Sequence, residues 1–156
     1  MRKEFFHLLI EELFNPNYAM FLPKNNRFMW FNKSSFECNL NFELIGVMLA
    51  LAIYNSVLLD LKFPRIIYKK LLGKNAVLQD LQEFEPDLFN TLKNIKNMET
   101  GFEDLDMTMS ISYDNFGAEE IYELVEGGSD IALTRENRDE FVEKYLQWYF
   151  NTSIEK

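Results

Sequence analysis

Two residue types suited to covalent or acid–base chemistry occur once each in this sequence, as His7 and Cys38. A cysteine becomes a nucleophile when a helix N-terminus or a nearby cation favours its thiolate. In Phe36-Glu37-Cys38-Asn39 the only local charge is Glu37, an anion that opposes ionisation, so Cys38 reads as an unreactive, partly buried thiol. His7 precedes Glu11 by one helical turn. An imidazole held by a carboxylate can act as a general base, but no nucleophile lies near it in sequence, and it reads as a helix-surface histidine. Glu119-Glu120 reads as a solvated turn and not as a paired acid and base. Gly127-Gly128 has none of the surroundings of a phosphate-binding loop, and no serine stands in a nucleophile-elbow pattern. One histidine and one cysteine cannot complete the usual zinc ligand set, and a single cysteine cannot form an internal disulfide. No metal or cofactor is expected.

The positioning elements must come from 156 residues, 47% of them apolar, which suggests one domain with a real core. There are 15 phenylalanines, and each contributes about 1.5–3 kcal/mol when fully buried. The formal charge of −9 repels phosphate backbones, so nucleic acid is not an expected partner. The longest apolar run, Leu44 to Tyr54, is too short to span a bilayer, and no membrane partner is expected. Glu4, Glu11 and Glu12 interrupt the apolar N-terminus, which therefore reads as a helix and not as a signal peptide.

The pattern predicts a helix over Lys3–Phe14 with Phe6, Leu9, Ile10 and Leu13 on one face. Phe5, Leu8 and Phe14 widen that stripe, as for a helix packed on two sides. Asn15-Pro16-Asn17 ends it. Arg27–Phe31 is a strand candidate. Asn41–Val57 is a central helix, apolar almost all round, which predicts burial on most faces; Gly46 inside it implies a close packing neighbour. Further helices are expected from Pro64 to Leu72, ending at Gly73, then over Leu78–Phe84 and from Pro86 to Lys96. Met107–Tyr113, Ile121–Val125 and Ile131–Leu133 alternate as three strands of one small antiparallel sheet. Thr134 is the expected N-cap of a last helix with Phe141, Tyr145, Trp148 and Tyr149 on its buried stripe, continuing toward Lys156. The sum is a mainly helical α+β fold.

Five strings, in order, resemble the HECT family of ubiquitin–protein ligases. KEFFHLLIEELFNPNYAMF resembles the opening helix and turn of a HECT domain, and FMWFNKSSF its first strand. FELIGVMLALAIYNSVLLDLKFPRIIYKKLLGK resembles the central helix, the LD-x-x-FP turn and the next helix. LQDLQEFEPDLFNTLKNI resembles the paired helices that follow. The stretch from MTMSISYDNFG to Lys156 resembles the sheet, its NFG and GG turns and the closing helix. The closest flavour is the branch with the E6-associated and HERC-type ligases.

The resemblance implies that residues 1–156 are the larger subdomain of a HECT N-lobe, with the conjugating-enzyme-docking subdomain and the C-lobe absent. The whole protein would accept ubiquitin as a thioester on a C-lobe cysteine and transfer it to substrate lysines, in the cytoplasm or nucleus. Its partners would be ubiquitin, a ubiquitin-conjugating enzyme and protein substrates. Cys38 does not match the catalytic cysteine, so this stretch should be inert alone. By position, Tyr18 and Phe116 match two aromatics of a non-covalent ubiquitin site found in some members, and Cys38 matches a cysteine beside it. Three readings stay open: a scaffold of the transferase, a ubiquitin-binding module through Tyr18 and Phe116, and a fragment without separate activity. Bare apolar surface also implies some self-association.

Overall fold

A computed structural model describes residues 2–115 and 117–155. They cluster into two compact units, the first reaching to Pro64 and the second spanning Arg65–Glu155. Both mix helices with a two-stranded antiparallel sheet, so the fold is α+β and mainly helical.

In the first unit, helix α1 (Arg2–Leu13) leads through a short 3-10 turn into the hairpin of β1 (Phe21–Lys24) and β2 (Phe28–Phe31). Helix α2 (Asn39–Tyr54) follows. The hairpin is clamped from outside by Met29 N–H, which donates to Lys62 O at 2.6 Å. Phe21 is the hub of the core. Its ring centroid lies 4.8 Å from Phe14, 5.4 Å from Phe31, 5.6 Å from Phe63 and 6.0 Å from Phe42. These are spacings at which offset and edge-on rings attract one another beyond the value of burial alone. A second cluster joins Phe6 of α1 to Ala52 of α2 and to Val57.

In the second unit, α3 (Arg65–Leu71) stops at Gly73, whose φ of 69° closes the helix end. A 3-10 turn over Leu78–Leu81 precedes α4 (Pro86–Asn97), which buries Phe89, Leu92 and Ile95 on one face at helical spacing. Strands β3 (Ser110–Asn115) and β4 (Ala118–Glu123) pair from Ser110↔Glu123 to Asn115↔Ala118. One face of this hairpin packs on α5 (Arg138–Phe150): the rings of Tyr113 and Tyr122 lie 5.4 and 5.9 Å from Trp148. Phe84, Phe141 and Phe150 are fully buried. Tyr149 donates to Glu85 Oε1 at 2.8 Å, satisfying a phenol that would otherwise be buried without a partner.

Several expectations change in the structure. Helix α2 buries only Ile45 and Ala52, and its other faces carry exposed leucines. Phe5 and Leu8 are exposed, so among the described residues α1 packs on one side. Strand β1 was not among the expected strands; its Pro23 occupies a two-stranded hairpin and pairs with Met29. Ile131–Leu133 is no strand: it contributes a single bridge, Thr108↔Ala132, with Met109 N–H donating to Ile131 O at 2.8 Å. The short helix expected over Leu78–Phe84 is a 3-10 turn confined to Leu78–Leu81.

The cap of α5 is Asn137, not Thr134; the Asn137 side chain accepts from Thr134 N at 2.7 Å and donates to Ala132 O at 2.9 Å. Helix α5 ends at Phe150 rather than running on. Lys70 Nζ reaches the Phe150 carbonyl and lies 2.8 Å from Asn151 Oδ1, a cation at a helix C-terminus. Glu120 stands in β4 and not in a turn, where it accepts from Tyr113 OH at 2.7 Å and Asn115 Nδ2 at 2.8 Å. No helix of the described residues is long and apolar enough to cross a membrane.

Gly128 fixes the second glycine of the GG turn sterically. A Cβ there would sit 2.2 Å from Met109 O, against backbone that cannot swing aside. Gly128→Ala should therefore lower stability by about 1–3 kcal/mol, as overpacking does, read as a lower urea midpoint by circular dichroism. An unchanged midpoint would mean that the turn does not press on Met109.

Candidate functional site

The first unit presents Tyr18 on a rigid turn. Asn15 takes an extended conformation ahead of Pro16, and its Oδ1 accepts from Asn17 N at 3.0 Å. Pro16 starts one 3-10 turn, and Ala19, left-handed with φ 49°, closes it by donating its N–H to Pro16 O at 3.0 Å. Asn32 at the end of the hairpin then ties the turn down. Its side chain donates to Ala19 O at 2.7 Å and its backbone N–H to Met20 O at 2.9 Å.

The Tyr18 ring is 43% exposed, and its hydroxyl donates to Glu12 Oε1 at 2.6 Å. The phenol's pKa is raised above its ordinary value. The hydrogen bond to Glu12 is the largest cause, followed by the Glu12 charge, a small loss of solvent and the charge of Glu37. Tyr18 thus offers a flat apolar ring whose polar end is already committed.

Cys38 lies on the surface as a free thiol at the N-cap of α2, exposed and not partly buried as its neighbours suggested. It precedes the helix with extended backbone, and its carbonyl accepts from Asn41 N at 3.0 Å. The adjacent Glu37 carboxylate accepts from the Asn41 side chain.

Phe116, the third predicted site residue, lies outside the described residues. Asn115 pairs with Ala118, and Gly117 N–H donates to Asp114 Oδ1 at 3.3 Å. Tyr18 and Cys38 belong to the first unit.

His7 is exposed on α1, as expected. With Glu11, Ile10, Phe14, Met29 and Leu59 it lines a groove of about 550 Å³, which has no serine, threonine or cysteine in its lining. Among the described residues, no group of three or more histidine, cysteine or acidic side chains is placed to hold a metal ion.

Sequence reasoning missed Glu12 as the partner of Tyr18. The signal was a carboxylate in the last turn of α1, six residues ahead of a tyrosine across a proline turn. Replacing it tests the arrangement: in Glu12→Gln, Tyr18 should ionise at lower pH, because the acceptor charge that keeps the phenol protonated is gone. Ultraviolet titration of tyrosinate, with Glu12→Gln/Tyr18→Phe to identify the residue, reads this directly. An unmoved Tyr18 titration would remove Glu12 from the site.

The family model for the HECT-domain (ubiquitin-transferase) matches residues 7–156. The probable E3 ubiquitin-protein ligase HERC4 of Homo sapiens is 41% identical over 159 residues, covering 99% of this chain and 15% of that protein. HERC3 of Homo sapiens, also a probable E3 ubiquitin-protein ligase, is 36% identical, covering 97% of this chain and 15% of its own length. The probable E3 ubiquitin-protein ligase HECTD2 of Mus musculus is 36% identical across 100% of this chain and 22% of that protein. The chain therefore spans about a seventh to a fifth of the relatives it matches. Matched across nearly its whole length by the family model and by relatives above 30% identity, the chain belongs to the HECT-domain (ubiquitin-transferase) family.

Proposed function

We propose that this chain is the larger N-lobe subdomain of a HECT ubiquitin–protein ligase and acts there as a scaffold. The carrying observation is the family match over residues 7–156, combined with a single cysteine that sits at the start of α2. In the intact ligase, a thiolate on another part of the protein displaces the thiol of a ubiquitin-conjugating enzyme and holds ubiquitin as a thioester. A substrate lysine amine then attacks that thioester and releases the thiolate. This stretch supplies the packed base for those moving parts, and Cys38 takes no part in the transfer. A cytoplasmic or nuclear location fits a protein of this class.

The test is a charging assay. Incubated with a ubiquitin-charged conjugating enzyme, the chain should acquire no ubiquitin. A thiol-sensitive ubiquitin adduct that disappears in Cys38→Ser would overturn the scaffold reading.

A second reading has its own observation. Tyr18 is exposed on a turn held by a set of hydrogen bonds, which is how a protein presents an aromatic to a partner. Here the chain binds ubiquitin non-covalently through Tyr18 and Phe116, residue types suited to an apolar patch. Unlabelled ubiquitin titrated into isotopically labelled chain should give saturable amide shifts near Tyr18 that vanish in Tyr18→Ala and Phe116→Ala. No shifts at high ubiquitin concentration would leave the scaffold role alone.

A further inference from the structure

Between Lys96 and Arg135 the chain has no lysine or arginine. Near the start of that stretch four carboxylates fall within eight residues, in Glu99-Thr100-Gly101-Phe102-Glu103-Asp104-Leu105-Asp106. Thr100 is the one hydroxyl in this segment. No other serine or threonine of the chain is followed within six residues by three carboxylates and no cation. Thr134 comes nearest, but Arg135 and Arg138 stand among its carboxylates.

The fold presents this hydroxyl. Thr100 lies in an exposed bend after α4, ahead of a 3-10 turn over Phe102–Asp104. Gly101, left-handed with φ 86°, opens that turn, and Phe102 is its buried anchor. Glu99, Glu103, Asp104 and Asp106 are all exposed. Carboxylates stay in water because burying them unpaired is strongly unfavourable. The accessibility of Thr100 therefore follows from the charge of its own segment.

Folding brings two cations to the same place. Thr100, Glu99, Glu103 and Asp106 line a groove of about 440 Å³ together with Arg135 and Glu136. Arg135 Nη2 lies 2.6 Å from Glu99 Oε2, with both side chains more than half exposed. Arg138 Nη2 lies 3.5 Å from Glu99 Oε1, and Arg138 Nε is buried with no hydrogen-bond partner among the described residues. Two guanidiniums thus meet at the residue beside Thr100, share one carboxylate and leave one donor unused.

We propose that Thr100 is the phosphate acceptor of a protein kinase directed by acidic flanks, and that Arg135 then holds the phosphate. Thr100 Oγ1 attacks the γ-phosphorus of ATP bound to the kinase, ADP leaves, and the hydroxyl proton passes to the kinase's catalytic carboxylate. Glu103, Asp104 and Asp106 complement a basic substrate groove on that kinase, which is how charge selects a substrate. The product carries about 1.5–2 negative charges and three strong acceptor oxygens. Glu99 offers Arg135 a single charge in an exposed pair, a weak hold, whereas a guanidinium matches phosphate with two parallel hydrogen bonds. The phosphate takes Arg135 from Glu99, while Glu103, Asp106 and Glu136 oppose it from the same lining. The proposal rests on neither the scaffold nor the ubiquitin-binding reading.

The test incubates the 156-residue chain with ATP and casein kinase 2 and maps its peptides by mass spectrometry. One phosphate is expected, on Thr100. Thr100→Ala should lose it and Thr100→Ser should keep it. Glu103→Gln should slow incorporation several-fold, with unchanged circular dichroism because the position is exposed. Phosphorus-31 NMR then reads where the phosphate sits. The second ionisation of a phosphothreonine falls at about pH 6. Arg135 favours the dianion, so Arg135→Gln should move that titration to higher pH. The surrounding carboxylates are common to both proteins, so the difference isolates Arg135.

Four results would each overturn the proposal: no incorporation, phosphate on another hydroxyl with Thr100 unmodified, a rate indifferent to Glu103→Gln, or a titration that Arg135→Gln leaves in place. The charging assay and the ubiquitin titration read Cys38, Tyr18 and Phe116, so their outcomes are independent of this one.

Discussion

The rest of the first unit depends on the contacts of one ring, Phe21. It meets Phe14 from the end of α1, Phe31 from the paired strand, Phe42 from α2 and Phe63 from the segment that follows. A short two-stranded hairpin is marginal by itself in water. Here it is stable because its first residue is enclosed by aromatic surface from three other segments, and each buried ring contributes about 1.5–3 kcal/mol. The same arrangement decides where Tyr18 points. The turn that carries it connects Phe14 to Phe21, both fixed in the cluster, so the loop has little freedom left and its hydrogen bonds take up the remainder.

The second unit solves a different problem, the ends of its helices. Lys70 crosses from α3 to the last carbonyl of α5, and burial pushes its pKa down while Glu155 partly offsets this. Arg138 at the start of α5 reaches the Met98 carbonyl just beyond α4 and the carboxylate of Glu99 at 3.5 Å. Two cations thus tie three helices together through backbone carbonyls that those helices leave unpaired. In a chain of net charge −9, cations are the scarcer charge, and these two are spent on helix ends.

The functional reading follows from what these scaffolds present. Tyr18 carries its hydroxyl on Glu12, and its ring is open to solvent. Nothing in this neighbourhood resembles an activated nucleophile.

The sequence by itself determined the fold class, the positions of α1 to α4 to within a few residues, the existence of α5 though not its ends, and the β3–β4 hairpin. It also carried the family, through strings whose order could be read without coordinates. These are local properties. Helical periodicity, strand alternation and a glycine at a helix end depend on neighbours in sequence, so α4 and the stop of α3 at Gly73 were legible. Tertiary structure decided the rest. Hydropathy marks a side chain as apolar but not what covers it, so the exposure of the Leu44 to Leu51 face of α2 could not be read. Cys38 reads as partly buried from its neighbours, and its exposure at the head of α2 depends on how the chain turns there. Cross-chain partners were equally hidden. The pairings of Tyr149 with Glu85 and of Lys70 with Phe150 join residues 64 and 80 positions apart, and no local pattern encodes such a distance.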